Sequence, residues 1–378
     1  MRIFYLSRVN LLTKKAHLRN IIKTCEFLPA VLVTSFGNLS QSEREDLFRQ
    51  HRVSRAFPII TLGGYVQRLQ WSCFRPLNWL GVLLENFSLI KFLFSRRKKI
   101  DVIYFRDCYL IPAVIFGKYV LRKPVFFEAH AAERKKSTQA LINLSARISR
   151  GVVAISFALK RHYQKLNQNI EVAYCWAPEE ENFPYHKTKE ELRKELNLPR
   201  DKIIIGYTGR LDLFGVHSNY EIGQVIEALN LLPSNVYFLI IGATEKEAQH
   251  LAAGPKVEIR PRLPYSEIPS YLLACDILVI PKLGDRPGDS PAKMFEYLAA
   301  ARPIVAAKTE PVCEVLRHEQ TALLVYPNTP QEWAKSIQRL VEDKSLSHKL
   351  SQKAFEDSSK YAWKKRAEII SNFIQTRL

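Results

Sequence analysis

The chain lacks the anchors of several common chemistries. It has no P-loop, and no G-x-G-x-x-G follows the first predicted strand, so an ATPase or a dinucleotide oxidoreductase finds no phosphate cradle. A hydrolase triad has no G-x-S-x-G elbow to carry its nucleophile, and no His/Asp/Glu cluster falls at metal-ligand spacing. The six cysteines, Cys25, Cys73, Cys108, Cys175, Cys275 and Cys313, form no CxxC pair and no zinc spacing, and several sit in apolar runs where a small buried thiol fits. A reduced, cytoplasmic compartment is expected. The opening Met1-Arg2-Ile3-Phe4-Tyr5-Leu6-Ser7-Arg8 is too short an apolar stretch for a signal peptide and reads as a first β-strand. No repeat of solenoid period and no low-complexity tract is present.

What is there is a chain of 378 residues, 47% hydrophobic, enough to bury two cores of ordinary domain size. Short β-branched and aromatic runs alternate with helical patterns, giving strands near 2–6, 30–34, 57–61, 101–105, 124–128, 151–155 and 170–174. The alternation resumes with strands at 202–208, 236–241, 257–259, 276–280, 304–306 and 322–325. This pattern is doubly wound α/β, twice. The Pro-containing acidic stretch 177–184 separates the two blocks, so the boundary is placed between residues 178 and 179. The tail from about 344 to 376 is helical in pattern, and its last helix, containing Trp363-Lys364-Lys365-Arg366, suits packing on either domain.

The charge follows the same boundary. Residues 1–178 carry 29 Lys and Arg against 10 Asp and Glu, whereas residues 179–378 carry 27 of each, so the first block holds the whole excess of +19. Such one-sidedness suits a face that meets a polyanion or an anionic membrane. Leu77 to Phe94 is dense in Leu, Trp, Phe and Ile and ends in Arg96-Arg97-Lys98-Lys99. Asn78, Glu85, Asn86, Ser88 and Lys91 interrupt it, which excludes a membrane span of roughly 20 predominantly apolar residues. Two readings remain: a helix covering the first sheet with a solvated basic end, or a face dipping into an anionic leaflet.

In an open parallel sheet, ligands bind beyond the carboxyl ends of the strands. Three such positions carry chemistry. Gly209 lets a ligand approach the backbone after strand 202–208, and Arg210 offers a planar fork suited to phosphate, although an interdomain salt bridge is the plainer use of that arginine. His130 follows strand 124–128, flanked by Glu128 and Glu133; a lone histidine is more often structural. The loop 284–289 is rich in turn formers and feeds a helix on which Ser290 suits the N-cap, Pro291 the first turn, and Lys293 and Glu296 one face. Free backbone donors at such a start can face an anion. Two such domains imply a ligand with phosphate and hydroxyl groups, most simply a nucleotide-activated compound.

The order Gly209-Arg210, Asp276-Ile277-Leu278-Val279-Ile280-Pro281, Ser290-Pro291-Ala292-Lys293-Met294-Phe295-Glu296-Tyr297-Leu298-Ala299 and Pro303-Ile304-Val305-Ala306 resembles the retaining GT-B glycosyltransferases of family 4. The first half is similar more loosely, through Glu128-Ala129-His130, Val153-Ala154-Ile155-Ser156 and Cys175-Trp176-Ala177-Pro178. The resemblance implies two Rossmann-like domains facing a central cleft: an acceptor domain, 1–178, and a nucleotide-sugar domain, 179–378, that includes the C-terminal helices. It also implies transfer of a sugar from a nucleotide diphosphate sugar to an acceptor hydroxyl, with retention, no cofactor and no required metal. Arg210 would hold the diphosphate and Glu296 the ribose hydroxyls. Backbone donors at Ser290 and Pro291, assisted by Lys293, would meet the leaving phosphate, and His130 would lie beside the transferred sugar.

Two departures qualify the match. Phe214-Gly215 stands where the family usually has Lys-Gly, leaving Lys293 and Arg286 as candidates to supply the missing cation. Gly288 stands where an earlier glutamate is usual, and Asp289 beside it is assigned to the donor sugar. The leading expectation is a polysaccharide or glycolipid glycosyltransferase, cytoplasmic and peripheral on the inner face of the membrane. Its acceptor and membrane residues would include Arg8, His17, Arg96, Arg97, Lys98 and Lys99. A non-catalytic GT-B relative that binds a sugar nucleotide is the alternative. A nucleic-acid partner is not expected, because no recognition-helix or RNA-binding signature is present.

Overall fold

A computed structural model describes residues 1–12, 16–35, 39–62, 75–130, 136–175, 182–211, 222–251, 254–282 and 292–378. The chain forms two compact units, Met1–Cys175 together with Trp363–Leu378, and Trp176–Ala362. The last helix therefore belongs to the first unit, whereas the sequence boundary grouped it with residues 179–378. Most of the expected linker, 176–181, lies outside the described residues.

The first unit holds strands β1 (Ile3–Ser7), β2 (Ala30–Thr34), β3 (Ile59–Thr61), β4 (Val102–Phe105), β5 (Val125–Ala129), β6 (Gly151–Ala154) and β7 (Ile170–Val172). The second holds β8 (Ile203–Thr208), β9 (Val236–Ala243), β10 (Val257–Pro261), β11 (Ile277–Ile280), β12 (Ile304–Ala307) and β13 (Leu323–Val325). Both sheets are parallel, ordered β3-β2-β1-β4-β5-β6-β7 and β10-β9-β8-β11-β12-β13. The strand order reverses at β1/β4 and at β8/β11, and those are the crevices where an open α/β sheet receives ligands.

Parallel strands are covered on both faces, which is why these runs are almost continuously apolar. In β1, Phe4 and Leu6 face one core with Ile103, Phe105 and Phe127. Ile3 and Tyr5 face the other, with Val102, Tyr104 and Phe126, a separation set by the two-residue period of a strand. Ala367, Ile370, Phe373 and Ile374 of the last helix, Trp363–Gln375, complete that second core. The ring of Phe373 fits against the sheet because residue 151 is glycine: a Cβ there would lie 2.7 Å from Phe373 Cζ. Among the described residues no helix is long and apolar enough to cross a membrane.

Candidate functional site

The crevice of the second unit is built around two glycines. Gly209, just past β8, has φ +125°, and Gly242, near the end of β9, has φ +113°, both in the region where a side chain is strained. Their backbones touch: a Cβ on Gly242 would sit 2.6 Å from the Gly209 carbonyl oxygen, and the Gly209 N–H donates to Ile241 O at 2.8 Å. A Cβ on Gly209 would in turn lie 2.8 Å from Lys293 Nζ, so the lysine rests directly against the glycine turn. The absence of side chains at 209 and 242 is what brings Lys293 to the strand end.

Lys293 and Glu296 lie on the helix Ala292–Ala299, and both are buried. The Lys293 ammonium stands 3.7 Å from the centre of the Tyr207 ring, a favourable cation–π placement. Tyr297, one position on, accepts the Thr208 N–H at 2.8 Å and fastens the helix to the end of β8. Tyr207 donates its hydroxyl to the Arg210 carbonyl at 3.0 Å, which orders the turn, and the Arg210 side chain is exposed. Lys282, two residues past β11, is a second buried lysine and acts electrostatically on the first. Burial pushes the Lys293 ammonium well below the usual lysine range; Glu296 opposes that shift and Lys282 adds to it. Lys293, buried against the glycine turn in the first turn of its helix with the buried Lys282 acting on it, is an arrangement suited to an anion. The sequence reading missed Lys282 and Gly242. Their position at the ends of β11 and β9 was the available signal. Asp289, Ser290 and Pro291 lie outside the described residues, as do Phe214, Gly215, Arg286 and Gly288.

In the first unit, His130 follows β5 and its ring is held from beneath by Glu128. Glu128 is nearly inaccessible, and each carboxylate oxygen accepts two donors. Oε2 takes the hydroxyls of Tyr5 at 3.1 Å and Tyr104 at 2.5 Å; Oε1 takes His130 Nε2 and Arg366 Nη2, the latter at 2.7 Å. Burial alone would raise the Glu128 carboxyl, but Arg366, His130 and Arg106 outweigh it and hold the group well below the usual carboxylate range. Burial, with Arg106 and Arg366, lowers His130 to about 4 against the pull of Glu128, so the imidazole is neutral at physiological pH.

Arg8, at the β1/β4 crevice, is engaged within its own unit. Its Nε donates to the buried Glu85 at 2.7 Å, its N–H to Asp107 at 2.8 Å, and its guanidinium lies 5.2 Å from the Tyr109 ring centre. His17 is the second residue of the helix Ala16–Phe27. Arg96 ends the helix Arg75–Arg96, and Arg97, Lys98 and Lys99 form an exposed single turn after it. That helix carries polar groups inward as well as apolar ones outward. Asn86 is buried and donates to Val82 O and Tyr109 O, each at 2.9 Å, and Glu85 takes Arg8 and Ser35. Trp79, Leu80, Leu83, Leu84, Phe87 and Phe94 are exposed, Phe87 by 68%. Leu89 and Leu93 cover the sheet, as the first of the two expected readings describes, while the opposite face of the helix exposes its apolar side chains.

Residues 188–357 match the family Glycosyl transferases group 1. The Gly209 turn, Lys282, Lys293 and Glu296 all fall inside that span. The chain is 29% identical over 158 residues to a Bacillus subtilis protein named as a teichuronic acid biosynthesis glycosyltransferase, TuaC, covering 40% of this chain and 36% of that one. It is 26% identical over 226 residues to a D-inositol 3-phosphate glycosyltransferase of Corynebacterium glutamicum, covering 57% and 53%. The chain thus spans about half or less of the curated relatives it matches. The structure of Anabaena HepE in complex with UDP and glucose covers 100% of both chains, with a TM-score of 0.71 and 17% identity. The fold is GT-B, two Rossmann-like α/β units.

Proposed function

We propose that the protein is a glycosyltransferase that moves a sugar from a nucleotide diphosphate sugar to a hydroxyl of a glycan or lipid-linked acceptor, in polysaccharide or glycolipid biosynthesis. The observation that carries this reading is Lys293 buried against the Gly209 turn, with the buried Lys282 acting on it and Glu296 one helical turn beyond, inside the segment that matches the transferase family. In the reaction the bond between the anomeric carbon and the diphosphate oxygen breaks as a bond to the acceptor oxygen forms. The hydroxyl proton passes to the departing phosphate. Negative charge grows on the diphosphate in the transition state, where Lys293, Lys282 and Arg210 stabilise it. In this reading the cationic side chains of the protein meet that demand, charged by the diphosphate they hold, and no metal is required. The ionised Glu296 accepts from the ribose hydroxyls. We assign Asp289 and His130 to the transferred sugar, and the anomeric configuration is retained.

The exposed apolar face of the helix Arg75–Arg96, continued by Arg97, Lys98 and Lys99, supports peripheral attachment to an anionic leaflet. Aromatic and leucine side chains enter the interface while the cations meet headgroups.

The deciding measurement is calorimetry with UDP, GDP, ADP and their common sugars, on the protein and on Glu296→Ala. One nucleotide binds and the variant loses it. UDP is the first to try, since HepE has been crystallised with it. Transfer that survives excess EDTA, with an α-linked product from an α-linked donor, supports metal independence and retention. Nucleotide binding without transfer to any lipid-linked or glycan acceptor would return the protein to the non-catalytic reading.

A further inference from the structure

The transferase reading leaves one buried assembly without a use. Glu128 is ionised, nearly inaccessible and saturated by four donors. A carboxylate that only braced the sheet would need no histidine among them. One donor, Arg366, arrives from the far end of the chain, 238 residues away in sequence. Four of its five N–H groups are engaged: besides the Nη2 bond to Glu128, Nε donates to Thr24 Oγ1 at 3.2 Å, and Nη1 to the carbonyls of Ala173 and Tyr174. Arg366 is therefore locked, and Glu128 with it, before any ligand arrives.

A carboxylate only accepts, so the ring nitrogen facing it must carry the proton. The histidine is neutral, so its other nitrogen is then an acceptor. We propose that Glu128 and Arg366 act as a positioning pair for His130, fixing the ring with Nε2 protonated and leaving Nδ1 as a hydrogen-bond acceptor for a hydroxyl of the sugar or of the acceptor. Hydrogen bonding at one imidazole nitrogen decides what the other can do. The inference rests on the proposed place of His130 beside the transferred sugar. The groups that act on the ring are Glu128, Arg106 and Arg366, with Tyr5, Tyr104 and Cys175 packed around the carboxylate. Arg366 draws the proton affinity of the ring down and Glu128 draws it up, so their removal has opposite effects.

The test reads the ring itself. Nitrogen-15 histidine labelling of the full chain, with the His130 signals found among nine histidines by their loss in His130→Gln, reports tautomer and titration without substrate. The protein itself is expected to hold the Nε2–H form and to titrate near pH 4. In Glu128→Gln the tautomer preference falls and the titration moves to lower pH. In Arg366→Met the titration moves up, and Arg366→Lys restores it; the lysine variant also keeps the experiment readable if the methionine variant fails to fold. In transfer assays Glu128→Gln lowers kcat at least tenfold, leaves KM for the sugar nucleotide unchanged, and shifts the acid limb of the pH profile with the ring. An Nδ1–H ring in the protein itself, or a tautomer indifferent to Glu128→Gln in folded protein, overturns the pairing. Ring behaviour as expected in a protein that transfers no sugar leaves the pairing standing and removes the transferase reading instead.

Discussion

A lysine ammonium in a buried site is poorly stabilised as a cation unless an anion shares the space. Lys293 is in that condition, with the charge of the buried Lys282 acting against it, and a diphosphate at the Gly209 turn relieves it. Lys293→Met and Lys282→Met should each weaken nucleotide binding about 10- to 100-fold, the range of about 1.5–3 kcal/mol for a hydrogen bond to a charged group. The nucleotide-free protein should melt within about 3 °C of the parent, because a buried charge is removed along with its contacts. A large loss of melting temperature with unchanged affinity would mean that the lysines serve the fold. Gly242→Ala separates geometry from charge. Its Cβ would fall 2.6 Å from the Gly209 carbonyl oxygen at a φ of +113°, so the turn must move, and the variant should lose affinity with every cation in place. The sequence made Lys293 and Glu296 visible because a motif holds them at helical spacing. Lys282 and Gly242 answer to no motif; they matter because parallel pairing brings the ends of β8, β9 and β11 together, and one-dimensional spacing does not carry that.

Elements were far more legible than their partners. Each of the thirteen strands expected from apolar runs overlaps one that forms, because a parallel strand buried on both faces must be continuously apolar and the turn residues around it must be polar. The helix Arg75–Arg96 defeats the same logic. Its composition does not say which apolar residues face the sheet, and the inward placement of Glu85 and Asn86 depends on Arg8, Ser35 and Tyr109, which lie far away in sequence. The outward stripe gives a direct prediction. Leu83 and Phe87 are 61% and 68% exposed, so Leu83→Ser with Phe87→Ser should leave stability unchanged. Fully burying such a side chain is worth roughly 1.5–3 kcal/mol, so partial insertion of two should make the double variant bind phosphatidylglycerol vesicles at least about tenfold more weakly. Added salt should weaken the parent and the variant alike, through Arg96 to Lys99. Vesicle binding indifferent to the double variant would leave the cations alone responsible.

At the scale of the whole molecule, the chain returns to its starting unit. An amphipathic last helix announces a buried face but not the surface that receives it, and only the structure pairs Arg366 with Glu128 and Phe373 with the Gly151 backbone. Removing Trp363–Leu378 should therefore unfold the first unit, and breaking the buried ion pair from one side costs about 3–5 kcal/mol. The same assembly dictates how the unit responds to acid. His130 is held at about 4 in the folded protein against an ordinary 6.5, so between those values the unfolded chain binds the proton that the folded one refuses. Stability then rises with pH across that window and falls on acidification. His51, lowered to about 4 mainly by burial, acts in the same direction. The depressed Glu128 carboxyl adds a further loss only below the ordinary carboxylate range. For His130 alone the change from pH 6.5 to about 4.5 amounts to about 2 kcal/mol. Urea unfolding at the two pH values should find His130→Gln losing less stability than the parent by about that amount. Equal losses in parent and variant would mean that the ring is already open to protons in the folded state, and the neutral histidine required beside the sugar would have no basis.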